Sequence, residues 1–152
     1  MTTFLKNRDM KFSFHLLLTC IALTACGESG KTTADYRIVP RPGEIAPGDG
    51  GDFELDARTR IVCTGDGDGM RANAEFLAGY VESVVGSAPE ITGPDGLCDD
   101  GRAVILRADA PGKGGEAYEI EVSENRITVS GESDAGVFYG IQTLRAVLGM
   151  NT

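Results

Sequence analysis

The chain has 152 residues, of which 41% are hydrophobic, and a formal net charge of −9 at pH 7. This length allows one domain and excludes a complete (β/α)8 barrel, which needs about 250 residues. The acidic balance disfavours sequence-independent nucleic-acid binding, because that mode needs a surplus of lysine and arginine to neutralise phosphates.

The first 25 residues have the pattern of a bacterial lipoprotein signal peptide. Three basic residues precede an apolar run over 12–24 that is too short to span a bilayer as a mature helix. The run ends in Leu-Thr-Ala-Cys at 23–26, which resembles the lipobox, a signal whose cysteine is acylated and becomes the mature N-terminus. We therefore expect a signal peptide over 1–25, lipid attachment at Cys26 and anchoring in the bacterial cell envelope, at the outer membrane. Plain secretion is the alternative.

Cleavage before Cys26 changes the chemistry that the chain can offer. The removed segment holds three basic residues, one acidic residue and His15, the single histidine of the sequence. The mature chain would then have 11 basic and 22 acidic residues, a net charge of −11, and no imidazole. That excludes Ser-His-Asp and Cys-His catalysis and any histidine-ligated metal site. Residues 26–35 are small and polar, which predicts a flexible tether.

Residues 25–32 match a loose form of the phosphate-binding loop, with alanine in place of its first glycine. The functional loop follows a buried strand and opens a helix whose amides hold the phosphates. Here the predicted cleavage cuts the motif, and a Pro-containing extended segment follows at 38–42. We expect no nucleotide and no other cofactor.

The body of the chain, 36–149, has a pattern of short strands around two helices. Strands are predicted at 51–55, 60–64 and 103–107 and in a hairpin over 118–129, with a Gly/Asp/Pro loop over 89–101 around the short segment 90–92. The strand at 103–107 contains a continuous apolar run over 103–106, so we expect it to lie centrally in the sheet. The hairpin alternates apolar and acidic residues, which indicates one buried and one solvated face.

A first helix is predicted over 70–85 and a second from Ser133 or Asp134 to Gly149. The first has an apolar face, and the second has an apolar stripe with Phe138 at its edge; these faces comprise Met70, Ala74, Leu77, Val81 and Val84, and Val137, Ile141, Leu144 and Leu148. Gly136 and Gly140 are one turn apart, which indicates close approach to another backbone such as the sheet. The predicted fold is α+β: a mostly antiparallel sheet with two helices packed on one face, in a layer sandwich.

Three stretches of this body resemble one known family. They are Ile-Val-Pro-Arg-Pro-Gly-Glu at 38–44, the segment 51–61, and the run from Gly115 through Gly-Val-Phe-Tyr-Gly-Ile-Gln-Thr-Leu at 136–144. Together they resemble the small N-terminal domain of bacterial β-N-acetylhexosaminidases, glycoside hydrolase family 20. The resemblance covers nearly the whole expected mature chain.

The resemblance implies a glycosidase parent but not catalysis by these residues. In this family the Asp-Glu pair, the arginine that binds the sugar and the aromatic pocket lie in a barrel that follows this domain. The family mechanism uses the acetamido group of the substrate as nucleophile. We expect the barrel to be absent from the present sequence, so no catalytic residue is carried over. The implied partner is that barrel, and the implied parent activity is removal of terminal N-acetylhexosamine.

Acidic residues offer further candidates, each with a simpler interpretation. Asp99-Asp100 and the pair Glu132 and Asp134 could act as paired carboxylates, but adjacent acids in polar turns are usually solvated. The loop Gly-Asp-Gly-Asp-Gly at 65–69 lacks the spacing of a dinucleotide loop. It also lacks the calcium ligands that an EF-type loop needs at later positions. We expect no metal site and a tight acidic turn.

Two further pairs of residues, one aromatic and one of cysteines, lead to predictions about packing and disulfide bonding. Phe138 and Tyr139 are interpreted mainly as packing residues, and both are candidates for docking the barrel, which Tyr139 would face. Cys63 and Cys98 could form a disulfide in an oxidising compartment. The other interpretation is a buried free Cys63 and an exposed Cys98.

Three functions stay open on the sequence. The first is a non-catalytic accessory domain of a β-N-acetylhexosaminidase. The second is a free-standing surface lipoprotein that binds carbohydrate or protein. The third is the equivalent small domain of another barrel glycosidase. The motifs encoded immediately downstream would discriminate among them.

Overall fold

The structure, a computed structural model, describes residues 43–46, 51–97, 101–110 and 114–149. Five strands, two α-helices and one short 3-10 helix are formed in this part of the chain. In order they are β1 (Arg60–Cys63), α1 (Asp68–Val85), β2 (Ile91–Thr92), the 3-10 helix (Pro94–Gly96), β3 (Ala103–Arg107), β4 (Tyr118–Val122), β5 (Arg126–Gly131) and α2 (Asp134–Val147). Both predicted helices and the predicted hairpin are confirmed.

The five strands form a single mixed sheet in the order β2-β1-β3-β5-β4. The pairs β1–β2, β1–β3 and β3–β5 are parallel, and β4–β5 is antiparallel. The α+β class is confirmed, but the expectation of a mostly antiparallel sheet is wrong. The reason is connectivity. Three connections carry the chain back to the end of the sheet at which the earlier strand began: α1, the segment with the 3-10 helix, and the segment with β4. The strand that follows each of these crossovers therefore runs parallel to the strands of the sheet beside it. The strand β3 lies at the centre, as its apolar run predicts.

The two helices cover one face of the sheet and enclose the main core. From the sheet, Ile61, Val104, Leu106, Ile127 and Val129 point towards the helices. From the helices, the buried side chains are Met70, Ala74, Leu77 and Val81 in α1, and Val137, Ile141 and Leu144 in α2. A separate buried cluster on the strands comprises Val62, Ala103 and Ile105. The predicted apolar faces of both helices are therefore the faces that are buried.

Two local expectations fail at the margins of the core. Val84 was expected on the buried face of α1 but is 53% exposed, since the neighbouring edge strand β2 has only two residues to cover the last turn. The segment 51–55 forms no strand. Instead Phe53 and Leu55 pack against the main core as part of an irregular segment. Ion pairs from Arg102 to Glu54 and Asp56 attach this segment to the start of β3.

Glycines allow α2 to lie directly on the hairpin. A Cβ atom at Gly136 would overlap the carbonyl oxygen of Ala117, and a Cβ at Gly140 would come within 2.5 Å of a methyl group of Val129. This confirms the close approach that their spacing predicts, to backbone at Gly136 and to a side chain at Gly140. The hydroxyl groups of Tyr118 and Thr143, 2.6 Å apart, add a hydrogen bond between β4 and α2.

The start of α2 is fixed by its cap and by a contact with α1. The Ser133 hydroxyl accepts a hydrogen bond from the amide of Gly136 at 3.4 Å, which identifies Ser133 as the cap. The side-chain amide of Asn73, which is buried, donates to the backbone oxygen of Asp134 at 2.8 Å. This bond sets the register between the two helices, so it also positions their outward faces relative to each other.

Candidate docking surface

The outward faces of α1 and α2 together carry a group of aromatic rings. Phe76 and Tyr80 are one turn apart on α1, beside its buried stripe, and Phe138 and Tyr139 lie on α2. The ring centroids are 4.8 Å apart for Phe76 and Tyr80, 5.3 Å for Phe76 and Phe138, and 5.8 Å for Phe138 and Tyr139. Edge-to-face and tilted contacts of this kind stabilise aromatic pairs. We call these four rings, together with Arg145, the aromatic surface.

Arg145 belongs to α2 and stacks on the α1 part of this surface. Its guanidinium carbon lies 3.5 Å from the centroid of Tyr80 and 5.8 Å from that of Phe76. The Nη1 atom donates to the side-chain oxygen of Gln142 at 2.5 Å. The Nε atom is buried, and no acceptor for it lies among the residues that the structure describes. Arg145 therefore combines a well-fixed guanidinium with an unused donor.

The surface is partly exposed and only shallowly concave. Tyr139 is 43% exposed, whereas Phe76, Tyr80 and Phe138 are half-buried. Beside the rings, α1 forms a depression of about 340 Å³, lined by Glu75, Phe76, Gly79, Tyr80 and Ser83. A sugar-binding pocket normally encloses most of its ligand. A shallow aromatic surface is better suited to contact with another protein surface, where aromatic residues and arginine are enriched.

The structure thus brings Phe138 and Tyr139 together with three residues that the sequence reasoning missed. Phe138 packs on Phe76, whereas Tyr139 is exposed. A role for either residue in docking stays a prediction. The missed residues are Phe76, Tyr80 and Arg145. The spacing of Phe76 and Tyr80 by one helical turn was a usable signal, but their proximity to α2 was not visible in the sequence.

A second depression, of about 450 Å³, lies where β1 and β3 begin, and its charged residues form ion pairs. Arg60 pairs with Glu90 at 3.1 Å, and Arg102 pairs with Asp56 at 2.7 Å. Burial acts to raise the pKa of Asp56, but hydrogen bonds from Arg58 and the charges of Arg102 and Arg58 outweigh it and hold that pKa below its usual value. This network attaches the 51–58 segment to the sheet and supplies no free acid or base.

The acidic candidates do not assemble into a reactive group among the described residues. Glu132 accepts a hydrogen bond from the amide of Gly114 at 2.8 Å, and Asp134 lies in the first turn of α2. A hydrogen bond from Arg107 holds the pKa of Asp109 below its usual value, the direction opposite to that of a general acid. Asp99 and Asp100 lie outside the described residues. Within the described ranges, no three His, Cys, Asp or Glu side chains are arranged to hold a metal ion.

Of the cysteines named in the predictions, the structure describes only Cys63. Cys63 is buried under the helices, and burial raises the pKa of its thiol. Cys98 lies outside the described residues, so its pairing with Cys63 stays a prediction. Cys26, the signal peptide over 1–25 and the tether over 26–35 also lie outside them. In the described part, no helix has the length and apolar character needed to cross a bilayer.

The fold and the aromatic surface define a small α+β domain whose helix layer offers a flat contact face. Residues 35–152 match the family model described as glycosyl hydrolase family 20, domain 2, and the chain belongs to this family. The resemblance seen in the sequence is thereby confirmed.

Relatives of known activity and structure agree with this assignment. A β-N-acetylhexosaminidase from Cellulomonas fimi is 30% identical over 111 residues, which are 73% of this chain and 22% of that protein. The structure of the family 20 β-N-acetylhexosaminidase from Streptomyces coelicolor matches with a TM-score of 0.63 and 26% identity, over 74% of this chain and 21% of that one. A mutant Streptomyces plicatus β-hexosaminidase, solved in complex with its product GlcNAc, matches with a TM-score of 0.58 and 25% identity over the same shares. The chain spans about a fifth of the length of these relatives.

Proposed function

We propose that the chain is the non-catalytic accessory domain of a larger β-N-acetylhexosaminidase and that its aromatic surface packs against the catalytic barrel of that enzyme. The observation that supports this most directly is the aromatic surface itself, which spans both helices and includes the exposed Tyr139. The parent enzyme would remove terminal N-acetylhexosamine residues from glycans, as the family and the names of the relatives suggest. The barrel would carry the catalytic groups.

The position of the surface fits a partner that follows in the same polypeptide. Arg145 lies in the last turn of α2, and Phe138 and Tyr139 lie two turns earlier on the same helix. A domain that continues from α2 can therefore fold back on these side chains over a short distance. Contacts between domains of one chain bury about 600–1,500 Å² in total. Four aromatic rings and an arginine form a plausible centre for such an interface.

The experiment compares two proteins: the present chain and the longest product encoded when the gene is read beyond codon 152. Both are purified and assayed with an aryl N-acetylglucosaminide, and backbone hydrogen exchange is followed along α1 and α2. We expect turnover from the longer product alone and slower exchange around Phe138 and Tyr139 in it. The chain alone, with Asp99→Ala and Glu132→Ala as variants, should show no turnover above blank.

Several results would contradict this proposal. An unrelated gene immediately downstream would favour a free-standing module, and a monomeric chain that binds N-acetylglucosamine oligomers through Tyr139 would support that alternative. A barrel with the motifs of another glycosidase family would replace the proposed substrate. Turnover by the chain alone that is lost in Glu132→Ala or Asp99→Ala would make it an enzyme in its own right.

We further propose that Cys26 is diacylated and that the domain is held on the outer membrane by this anchor. The support is the Leu-Thr-Ala-Cys pattern at 23–26, with glycine rather than aspartate after the cysteine. Two acyl chains are enough for stable anchoring, whereas one is marginal. Mass spectrometry of the mature N-terminal peptide tests the proposal. An unmodified Cys26, or cleavage at another position, would refute it.

A further inference from the structure

We propose that the depression around Gly79 receives one large apolar side chain, carried by an α-helix of the domain that covers the aromatic surface. This inference rests on the proposed function, because it takes the covering domain to be the part of the same protein that follows residue 152. It goes further by naming the point of closest contact on α1 and the kind of group that fills it. We call this depression the Gly79 pocket.

The first observation is that Gly79 differs from the other glycines of the two helices. Those three lie where a Cβ atom would overlap a neighbour: Gly69 at Asp134, Gly136 at Ala117 and Gly140 at Val129. At Gly79, apart from its chain neighbours and its own helix backbone, none of the described residues has an atom within 4 Å of the Cβ position. Glycine destabilises a helix interior relative to alanine. A close contact accounts for the other three glycines, and the domain itself supplies none at Gly79.

The second observation is the shape of the pocket. Four of its lining residues, Phe76, Gly79, Tyr80 and Ser83, occupy helix positions i, i+3, i+4 and i+7, and Glu75 completes the lining. Residues at these spacings are neighbours on one face of a helix. Four such neighbours form the hole that receives a side chain when a second helix packs alongside. Because one of the four positions has no side chain, the pocket of about 340 Å³ has room for a large one.

The third observation is the chemistry of the walls. Phe76 and Tyr80 are half-buried and in edge-to-face contact, with 4.8 Å between their ring centroids. Phe138 packs on the first ring and Arg145 stacks on the second, so α2 holds both rings in place. Of the described residues that line the pocket, Glu75 alone is charged. An apolar side chain that enters therefore leaves water for two aromatic walls that are already ordered.

The course of the chain favours a helix of the following domain as the source of this side chain. Arg145, which stacks on Tyr80, lies in the last turn of α2, one turn before Gly149. Polypeptide that continues beyond residue 152 therefore starts close to the pocket. The chain spans about a fifth of the length of its relatives, and the barrel expected in the remainder has its helices on the outside.

The test places a cysteine at position 79 and measures its rate of alkylation. Gly79→Cys is compared in the 152-residue chain and in the product that extends beyond residue 152. Arg71→Cys, at an exposed position two turns earlier on α1, is the matched control. Peptide mass spectrometry separates the label at each position from labels on other cysteines. We expect Gly79→Cys to react at least about tenfold more slowly in the longer product, and Arg71→Cys to differ by less than about threefold, since the reagent reaches a covered thiol only when the contact opens.

A second pair of variants tests whether the pocket is filled and not only covered. Gly79→Leu should leave the 152-residue chain folded, because the space at this position is open there. In the longer product it should speed hydrogen exchange around Phe138 and Tyr139 at least about tenfold, because the leucine takes the volume of the entering side chain. Arg71→Leu should change neither protein. In the Gly79→Leu background, one alanine replacement among the large apolar side chains on helices beyond residue 152 should restore slow exchange.

The failures of the two proposals can be told apart. If exchange around Phe138 and Tyr139 is slow in the longer product but Gly79→Cys reacts equally fast in both proteins, the pocket is not part of the contact, and the accessory-domain function stands. An unchanged exchange rate in Gly79→Leu, or no restoring alanine, leads to the same conclusion.

Two other occupants would also overturn the inference. Alkylation of Gly79→Cys that slows in the 152-residue chain as its concentration rises would identify a second copy, and slowing by N-acetylglucosamine oligomers would identify a glycan. If the aromatic surface exchanges as fast in the longer product as in the short chain, the docking function fails, and the role of the pocket fails with it.

Discussion

Gly136 in α2 lies directly against the carbonyl oxygen of Ala117, just before β4, and leaves no room for a side chain between them. The α-carbon of Gly131 would lie 3.3 Å from the same Cβ position. Helix α2 can pack on the hairpin at this distance only because position 136 has no Cβ atom. The outward placement of Phe138 and Tyr139 depends on this contact, since both follow within the next helical turn.

The first prediction therefore concerns the glycines of the two helices. Gly136→Ala should lower the free energy of unfolding by about 1–3 kcal/mol, because the new methyl group must displace backbone. Gly79→Ala is the matched control: it lies in α1 with open space around it, and should raise that free energy by up to about 1 kcal/mol through helix propensity. Urea denaturation followed by circular dichroism measures both. If Gly136→Ala instead raises the free energy of unfolding, the backbone around position 136 can move to accept the methyl group with little loss of stability.

The second prediction concerns the bond between the helices. Asn73→Ala removes the donor to the backbone oxygen of Asp134, and we expect a loss of about 1 kcal/mol in the free energy of unfolding. Glu75→Ala, on the exposed side of the same helix, should change it by less than about 0.5 kcal/mol. Denaturant midpoints at equal protein concentration give the comparison. Equal values for the two variants would mean that the bond does not couple the helices.

The third prediction concerns acid stability. Because the pKa of Asp56 in the folded state lies below its usual value, its ionised form stabilises the fold. This contribution is fully present above the unfolded pKa and is lost as the pH falls through the folded pKa. Asp56→Asn should thus destabilise the chain at about pH 7, and the difference from the original chain should shrink as the pH falls through the lowered pKa of Asp56. Asp66→Asn, in the exposed loop before α1, is the control. A loss that is independent of pH would show that the charge of Asp56 is not responsible.

The fourth prediction concerns the buried thiol. Burial raises the pKa of Cys63, so it disfavours the reactive thiolate as well as blocking access to it. We expect Cys63 to resist alkylation in the folded chain and to react at once in urea. The experiment on unreduced protein also tests the predicted pairing with Cys98. Alkylation of both cysteines in urea without a reductant would exclude the disulfide, and alkylation of neither would establish it.

The sequence predicted the elements well and their arrangement only in part. The continuous apolar run at 103–106 indicated a strand buried on both faces, and β3 is central for that reason. The alternating hairpin suggested an antiparallel sheet, but alternation reports which face is buried and not which strand is adjacent. The alternation of Phe53 and Leu55 was misleading too, because both pack on the core from a segment attached by ion pairs of Arg102.

The aromatic surface shows the same limit. The adjacent rings of Phe138 and Tyr139 were visible as a pair in the sequence. The stacking of Arg145 on Tyr80 joins residues 65 positions apart, and it depends on the packing of α1 beside α2. No local pattern specifies that pairing. Nor does any pattern reveal that the Nε atom of Arg145 lacks an acceptor, since this depends on every neighbour in space.

The place of β5 between β3 and β4 has a consequence for the synthesis of the chain. Strand β3 needs β5 as its second neighbour, and α2 must follow to close the core over Val129 and Ile127. A nascent chain that stops before Arg126 therefore leaves one edge of β3 without its partner strand and lacks the side chains that β5 and α2 contribute to the core, although β1, α1 and β3 have already been made. Since sheet contacts between distant segments form late, the earlier elements wait for the last ones. The domain can therefore complete its core only after α2 has been synthesised.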